Sequence, residues 1–261
     1  MMDISAFLQF SGFVGIGLLA GIIEATAGGS GLIVLPALLF AGLPPAQAMA
    51  TSKLQYVFGA LTAIFRFHQA RLVQWKNILP MVLTAALGGA AGALLLAHTD
   101  TALLKALVPL LLVGATLYFI FSPRLSDKPS GKRLAQPLLI VLPIALIGFY
   151  DGFFGVGSGS FFVLILIWGL GLAAREATAT TKIVDFASAA AALIVLATQQ
   201  EVLWLYGLAL GLGQIAGAWI GSGFVIRRGA RFIRPMLIIV SLGLSLKLIY
   251  DARTILANLL P

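Results

Sequence analysis

The sequence predicts an all-α polytopic membrane protein, and three observations lead there. The chain of 261 residues is 60% hydrophobic, against roughly 45–50% in an average soluble domain. Charged residues make up 10%, where a soluble domain has about 25%. The mean hydropathy is +1.05, and apolar residues run continuously, without the alternation of a transmembrane β-barrel. A soluble enzyme, a disordered chain and a disulfide scaffold are excluded. Cys is absent, which removes thiolate metal sites and Cys nucleophiles.

A crossing helix needs about 20 mostly apolar residues, so the length allows about 8–10 helical segments and no sizeable soluble domain. The apolar stretches fall at 7–23, 32–41, 46–65, 78–97, 102–121, 137–150, 160–172, 176–197, 203–224 and 232–250. In the first, Ala25-Thr26-Ala27 resembles a signal cleavage site. Asp3 and the lack of Lys or Arg before it, with Glu24 adjoining, mark the segment as retained. Pro36, Pro80, Pro109 and Pro143 are candidate kinks inside apolar stretches.

The longest polar run, Ser122 to Gln136, carries five charges and divides the chain nearly in half. The domains read as a first transmembrane repeat over 1–122, a linker over 123–135 and a second repeat over 136–261. Gly42-Leu43 through Ala50-Thr51-Ser52-Lys53 matches Gly171-Leu172 through Ala179-Thr180-Thr181-Lys182 at an offset of 129. Gly29-Ser30-Gly31 matches Gly157-Ser158-Gly159 at 128, Gly88–Ala93 matches Gly213–Ala218 at 125, and Gly114 matches Gly243 at 129. Such internal repeats mark transporter folds.

The net charge is +8. In a membrane chain it reads as positive-inside bias and not as a nucleic-acid surface. Loops 66–76, 122–135 and 227–234 hold 11 of the 17 basic residues and are predicted cytoplasmic. Counted back from them, Gly42–Pro45 lies outside and the equivalent Gly169–Arg175 inside, so the repeats are inverted. Stretches 7–41 and 137–172 are then hairpins, re-entrant or fully crossing. The alternative, parallel repeats with one broken span each, would put the four-Arg loop outside.

Each hairpin tip has an acid, a Gly/Ser turn and a fresh apolar helix. The first runs from Glu24 through Gly28-Gly29-Ser30-Gly31, the second from Tyr150-Asp151-Gly152 through Gly155-Val156-Gly157-Ser158-Gly159-Ser160. Glycine lets the backbone approach a ligand, and the first N–H groups of a helix lack intrahelical partners, so the tips suit an anion. Close helix packing is the competing use of such small residues. Lys53 and Lys182 lie deep in apolar helices at equivalent positions, each after two hydroxyl residues. A charge placed there needs a partner or a function, whereas Lys105 and Lys247 lie nearer helix ends and can snorkel. Asp185, three residues after Lys182, can pair with it on one helix face; Gln55 and Tyr56 occupy the corresponding region of the first half. Glu24, Asp151 and Asp185 are rival proton carriers, which the sequence does not rank. Gln214 reads as a substrate donor or an interhelical hydrogen bond. His68 and His98 are isolated and make no metal site. Trp75, Trp204 and Tyr206 read as interface anchors. No nucleophile–base pair or cofactor motif is present, so no enzyme is predicted.

These residues carry a resemblance to the sulfite exporter TauE/SafE family, closest to its YfcA-type branch and covering nearly the whole chain. Its most specific piece is Gly148-Phe-Tyr-Asp-Gly-Phe-Phe-Gly-Val-Gly-Ser-Gly-Ser-Phe161. Ala27-Gly-Gly-Ser-Gly-Leu-Ile-Val-Leu-Pro36, Ala50-Thr-Ser-Lys-Leu-Gln55, Arg234-Pro-Met-Leu-Ile and Lys247-Leu-Ile-Tyr-Asp251 are similar to its other signatures. Val156 stands where the signature often has Pro, and Ser52 and Asp185 where Asn is expected. The resemblance implies a bacterial inner-membrane permease for small sulfur-containing anions such as sulfite or organosulfonates.

The expected function is therefore anion transport by alternating access, with proton coupling left open. The expected substrate-binding set is Lys53, Lys182, Gly29, Ser30, Gly31, Gly157, Ser158, Gly159, Ser52, Thr181, Gln55 and Tyr150. No cofactor or metal is expected; the partners are a small anion and the bilayer, with homo-oligomerisation left open. The alternatives are a cation- or proton-coupled transporter with the lysines as internal counter-ions, and a non-transporting membrane partner protein.

Overall fold

A computed structural model describes residues 4–76, 78–104, 138–199 and 202–229, with scattered positions between 107 and 114. The linker 123–135, the expected helix at 232–250, most of 102–121 and the signatures at Arg234 and Lys247 lie outside the described residues. The described chain is helical and has no strand. Eight helices have defined bounds: α1 Ile4–Ala27, α2 Gly31–Phe40, α3 Pro45–Gln69, α4 Ile78–Ala97, α5 Leu138–Phe153, α6 Ser158–Leu170, α7 Ala174–Gln199 and α8 Trp204–Arg228. Each covers an apolar stretch of the sequence. The long ones extend beyond it because helix geometry continues into polar ends such as Arg66–Gln69 and Arg227–Arg228.

By length and composition α4, α7 and α8 can cross a membrane. The second limbs of the hairpins are short. α2 has 10 residues and α6 has 13, about 15 and 20 Å at 1.5 Å per residue, against a hydrocarbon core about 30 Å thick. Their ends are set locally. After α2, Gly42 takes φ +89°; its N–H donates to the Leu39 carbonyl and the Leu43 N–H to that of Leu38. This six-to-one closure needs a left-handed residue, which glycine supplies without strain. Pro45 then opens α3 at a position where no N–H partner is lost.

The helices pack reciprocally between the halves. α1 lies on α8 and α5 on α4; α3 contacts α8 and α7 contacts α4; α3 and α7 meet at the centre. The Leu203 N–H, just after α7, donates to Thr51 Oγ1 near the start of α3 (3.2 Å). The Gln74 N–H, just after α3, donates to Thr180 Oγ1 near the start of α7 (3.1 Å). The two bonds are counterparts at an offset of 129, and they require α3 and α7 to run antiparallel. A pseudo-two-fold axis therefore relates the two central helices.

Glycine stripes set the tight contacts. On α8, Gly213, Gly217 and Gly221 face Val14, Leu18 and Ile22 of α1. On α4, Gly88 and Gly92 face Ala145 and Phe149 of α5. These helices run side by side in the same direction, because rising numbers on one meet rising numbers on the other. Lipid is as apolar as leucine, so van der Waals packing at small residues holds such contacts. Large side chains point away from the core: Leu79, Leu83 and Leu87 form an exposed row on α4, with Leu87 70% exposed. A row of this kind suits acyl chains better than water.

A Cβ at Gly217 would meet the Leu18 carbonyl oxygen at 2.0 Å, and one at Gly92 the Phe149 carbonyl oxygen at 2.0 Å, whereas at Gly12 nothing lies within 4 Å. Gly217→Ala and Gly92→Ala should each destabilise by about 1–3 kcal/mol through overpacking, and Gly12→Ala by less than about 0.5 kcal/mol. Thermal unfolding of the detergent-purified variants checks this, and an unshifted midpoint for Gly217→Ala would remove the close α1–α8 contact.

Candidate functional site

Lys53 and Lys182 are 6% and 1% exposed, so each ammonium must find its partners inside the protein. Lys53 Nζ donates to Asp151 Oδ1 at 2.8 Å and to the Asp151 carbonyl. Lys182 Nζ donates to Glu24 Oε1 at 2.7 Å and to the Glu24 carbonyl. The pairs cross: each lysine stands on the long central helix of one half, and each acid at the hairpin tip of the other. The pairing of Lys182 with Asp185 suggested by their i, i+3 spacing is not made, because the end of α1 brings Glu24 to the ammonium. Asp185, 1% exposed, instead accepts a hydrogen bond from the Tyr56 hydroxyl, with 2.5 Å between Tyr56 Oη and Asp185 Oδ2. Tyr56 and Asp185 are themselves counterparts at an offset of 129, so this bond lies on the pseudo-two-fold axis.

The tips are built around their own acids. The Ser30 N–H and hydroxyl donate to Glu24 Oε2 at 2.9 and 2.7 Å. Ser158 Oγ lies 2.8 Å from Asp151 Oδ1, 3.1 Å from the Gly155 carbonyl and 3.3 Å from Asp185 Oδ1. Ser188 Oγ adds a bond to Asp151 Oδ2 at 2.8 Å. Donors expected to face an anion are thus turned onto carboxylates of the protein. Gly155 has φ +81°, and a Cβ there would sit 2.5 Å from Lys53 Nζ, so glycine supplies both the turn and the space for the ammonium. The two tips touch, since a Cβ on Gly28 would lie 2.9 Å from the Gly159 Cα. Tyr150 does not face the site: its hydroxyl donates to the Val156 carbonyl at 2.7 Å and its ring stands edge-on to Phe154 and Phe161. It braces the second tip.

A cavity of about 20 Å³ opens beside Lys53, room for about one water molecule. Ser52, Lys53, Gln55 and Tyr56 line it from α3, Ser30 and Gly31 from the first tip, and Asp151, Gly155 and Ser158 from the second. Glu24 also borders it, whereas Lys182, Thr181, Asp185, Gly29, Gly157, Gly159 and Tyr150 do not. Gln55 Oε1 and Thr181 Oγ1 are buried with no hydrogen-bond partner among the described residues. The Ser52 hydroxyl donates to the Met49 carbonyl at 2.8 Å. Gln214 makes no interhelical hydrogen bond: neither of its amide atoms has a partner among the described residues, and its side chain fills the space left by Gly59. The His68 ring packs edge-on against Trp75, and Arg66 stacks over Trp219, 4.3 Å from the ring centroid.

Four side chains of this network lie outside the expected set. Tyr56 carries a signal in the sequence, its position 129 residues before Asp185. Thr51 and Thr180 carry the same offset. Ser188 has no such signal, because its counterpart is Gly59.

The protein-family model described as "Sulfite exporter TauE/SafE" matches residues 13–248. The chain is 41% identical over 246 residues to "Probable membrane transporter protein ORF9" of Sinorhizobium sp, covering 94% of this chain and 92% of that protein. It is 39% identical over 250 residues to a "Probable membrane transporter protein" of Haemophilus influenzae, covering 96% of each. It is 35% identical over 237 residues to "Probable membrane transporter protein YfcA" of Escherichia coli, covering 91% of this chain and 88% of that protein. No solved structure matches. With a family match over nearly its whole length and an interior of crossed ion pairs, the chain belongs to the sulfite exporter TauE/SafE family of membrane transporters.

Proposed function

We propose that this protein moves a small sulfur-containing anion, of the sulfite or organosulfonate class, across the bacterial inner membrane by alternating access, in exchange for or together with a proton. The observation that carries the reading is a buried ammonium, Lys53, at the wall of a polar cavity. Ser52 and Gln55 flank it on the same helix. An oxyanion entering there takes the place of the Asp151 carboxylate on the ammonium. The helix-dipole end of α2, with Ser30 and Gly31 at the cavity, adds favourable partial charge. Lys182 and Thr181 are the counterparts of Lys53 and Ser52 away from the cavity, and they form the binding group of the opposite-facing state. The antiparallel run of α3 and α7 supports inverted halves, in which one conformation becomes the other by exchange of roles.

A second reading is favoured by the carboxylate already seated on each lysine. In it the lysines are internal counter-ions and the acids conduct a proton or cation with another small solute. A non-transporting partner role is disfavoured, since a scaffold has no use for five costly buried charges.

Thermal unfolding with sulfite, sulfate, thiosulfate, taurine, sulfoacetate, small carboxylates and chloride separates the two transport readings. A ligand of the folded state stabilises by about 2.7 kcal/mol at 100 times its Kd. One sulfur anion should raise Tm selectively, and the paired replacement Lys53→Met with Asp151→Asn should abolish that rise. No rise with any sulfur anion at millimolar concentration would shift the assignment to the counter-ion reading.

Lys182→Ala alone leaves the Glu24 carboxylate buried and unpaired, at a cost of about 3–5 kcal/mol. Adding Glu24→Gln should recover most of that stability without restoring flux. A stable single variant with wild-type flux would remove Lys182 from the mechanism.

Because the chain has no Cys, single cysteines report orientation cleanly. Ala41→Cys and Ala173→Cys should react with a membrane-impermeant maleimide from opposite faces of intact cells and inverted vesicles. Labelling from the same face would exclude inverted halves.

A further inference from the structure

We propose that Asp185 is the proton carrier of this transporter, taking up one proton for each monovalent anion that enters the site. The inference rests on the anion-transport reading above and deepens it. Five charged side chains meet between the halves. Glu24 and Lys182 form one pair and Asp151 and Lys53 the other, which leaves Asp185 without a cation partner. Its bonded neighbours are hydroxyl groups, Tyr56 at 2.5 Å and Ser158 at 3.3 Å. The groups that face it are Tyr56 from α3, Glu24 from α1, Asp151 from α5, Ser158 from α6 and Lys182 from its own helix, while Lys53 of α3 is bonded to Asp151. α4, which also packs on α7, has no titratable residue.

With all five groups ionised, the cluster carries one net negative charge, and an incoming anion would double it. A proton on Asp185 restores the starting value, so anion and proton enter together with the buried charge unchanged. Glu24 is less suited to this role, since protonating it would strand Lys182 without its counter-charge; Asp151, when the anion replaces it on Lys53, keeps two hydroxyl donors of its own, Ser158 and Ser188 at 2.8 Å each.

A route to Asp185 is present. Tyr56 and Ser158 both line the cavity and both reach Asp185. Gln55 Oε1, in a side chain only 1% exposed, lacks a donor and belongs to the same lining. A water entering this space would satisfy Gln55, in the lining it shares with Ser158. A hydrated proton arriving at that water passes to the serine oxygen while the serine's own proton passes to Asp185 Oδ1. One O–H bond breaks on the hydronium and one on the serine, one re-forms on the serine and one forms on the aspartate, and a neutral water is left. The Tyr56 O–H continues to donate to Oδ2. Asp185→Asn keeps the shape and an acceptor oxygen for Tyr56, and removes only the exchangeable charge.

The test uses the full chain in liposomes, with ³⁵S-labelled bisulfite and methanesulfonate as probes. In the wild type, an inward proton gradient should raise accumulation of at least one probe about tenfold over equal pH. Asp185→Asn should lose that gain, while equal-pH exchange falls by less than threefold. A gradient-driven gain that survives in Asp185→Asn, or is missing from a wild type that exchanges the probe, overturns the proposal. A wild type that neither exchanges nor accumulates either probe instead overturns the anion reading. A substrate-free arm then decides Asp185: an infrared titration of the purified protein should show a protonated-carboxyl stretch that Asp185→Asn abolishes. Persistence of that band overturns the proposal. If Asp185→Asn does not fold, Tyr56→Phe should move the midpoint of the band by at least threefold in proton concentration, and an unmoved midpoint overturns the proposal.

Discussion

The structure depends on two ion pairs that cross between its halves. A buried ammonium or carboxylate alone is too costly to keep in an apolar interior, so Lys53 needs Asp151 and Lys182 needs Glu24. Each partner comes from the other half, and neither half completes its own electrostatics. The pairs also fix the hairpin tips. Each ammonium bonds both the carboxylate and the carbonyl of its acid, which ties the last turn of α1 or α5 to the opposite central helix. The Gly/Ser turns that follow are irregular backbone inside a membrane protein, tolerable where protein groups satisfy them. Ser30 and Ser158 do this by returning hydrogen bonds to the acids themselves.

Around this polar centre the packing is apolar and close. Glycines at i, i+4 spacing let α1 settle on α8 and α5 on α4 with backbones in contact. Those two helix pairs flank the central pair α3 and α7. Close-packed outer pairs around a polar middle fit the proposed rocking of one unit against another, in which the hydrogen bonds at the tips would be the contacts that rearrange.

The sequence made the scaffold legible. Hydropathy gave the helices, internal matches gave the reciprocity of the halves, and Lys53 and Lys182 stood out because charge is rare in apolar helices. It did not give the partners. The i, i+3 spacing on α7 favoured Asp185 for Lys182, but helical spacing reports neighbours on one helix only, and the crossing of α1 past α7 supplied a better-placed acid. Tyr150 belongs to the most specific motif, yet its hydroxyl bonds Val156; a motif position can serve the shape of a turn as well as a ligand. Gln214 reads from the sequence as a hydrogen-bonding residue, yet the cleft it fills is set by Gly59, whose importance shows only when the helices are docked.

The bond between Tyr56 and Asp185 sets a limit on how alike the two halves can be. A residue on a two-fold axis faces its own copy, so identical halves would set tyrosine against tyrosine or aspartate against aspartate. Two buried aspartates in that arrangement would repel, and two phenols would offer no anionic acceptor. A short phenol–carboxylate bond at this point requires the halves to differ there. Two copies of either half in this arrangement would therefore lack the phenol–carboxylate bond that joins Tyr56 to Asp185.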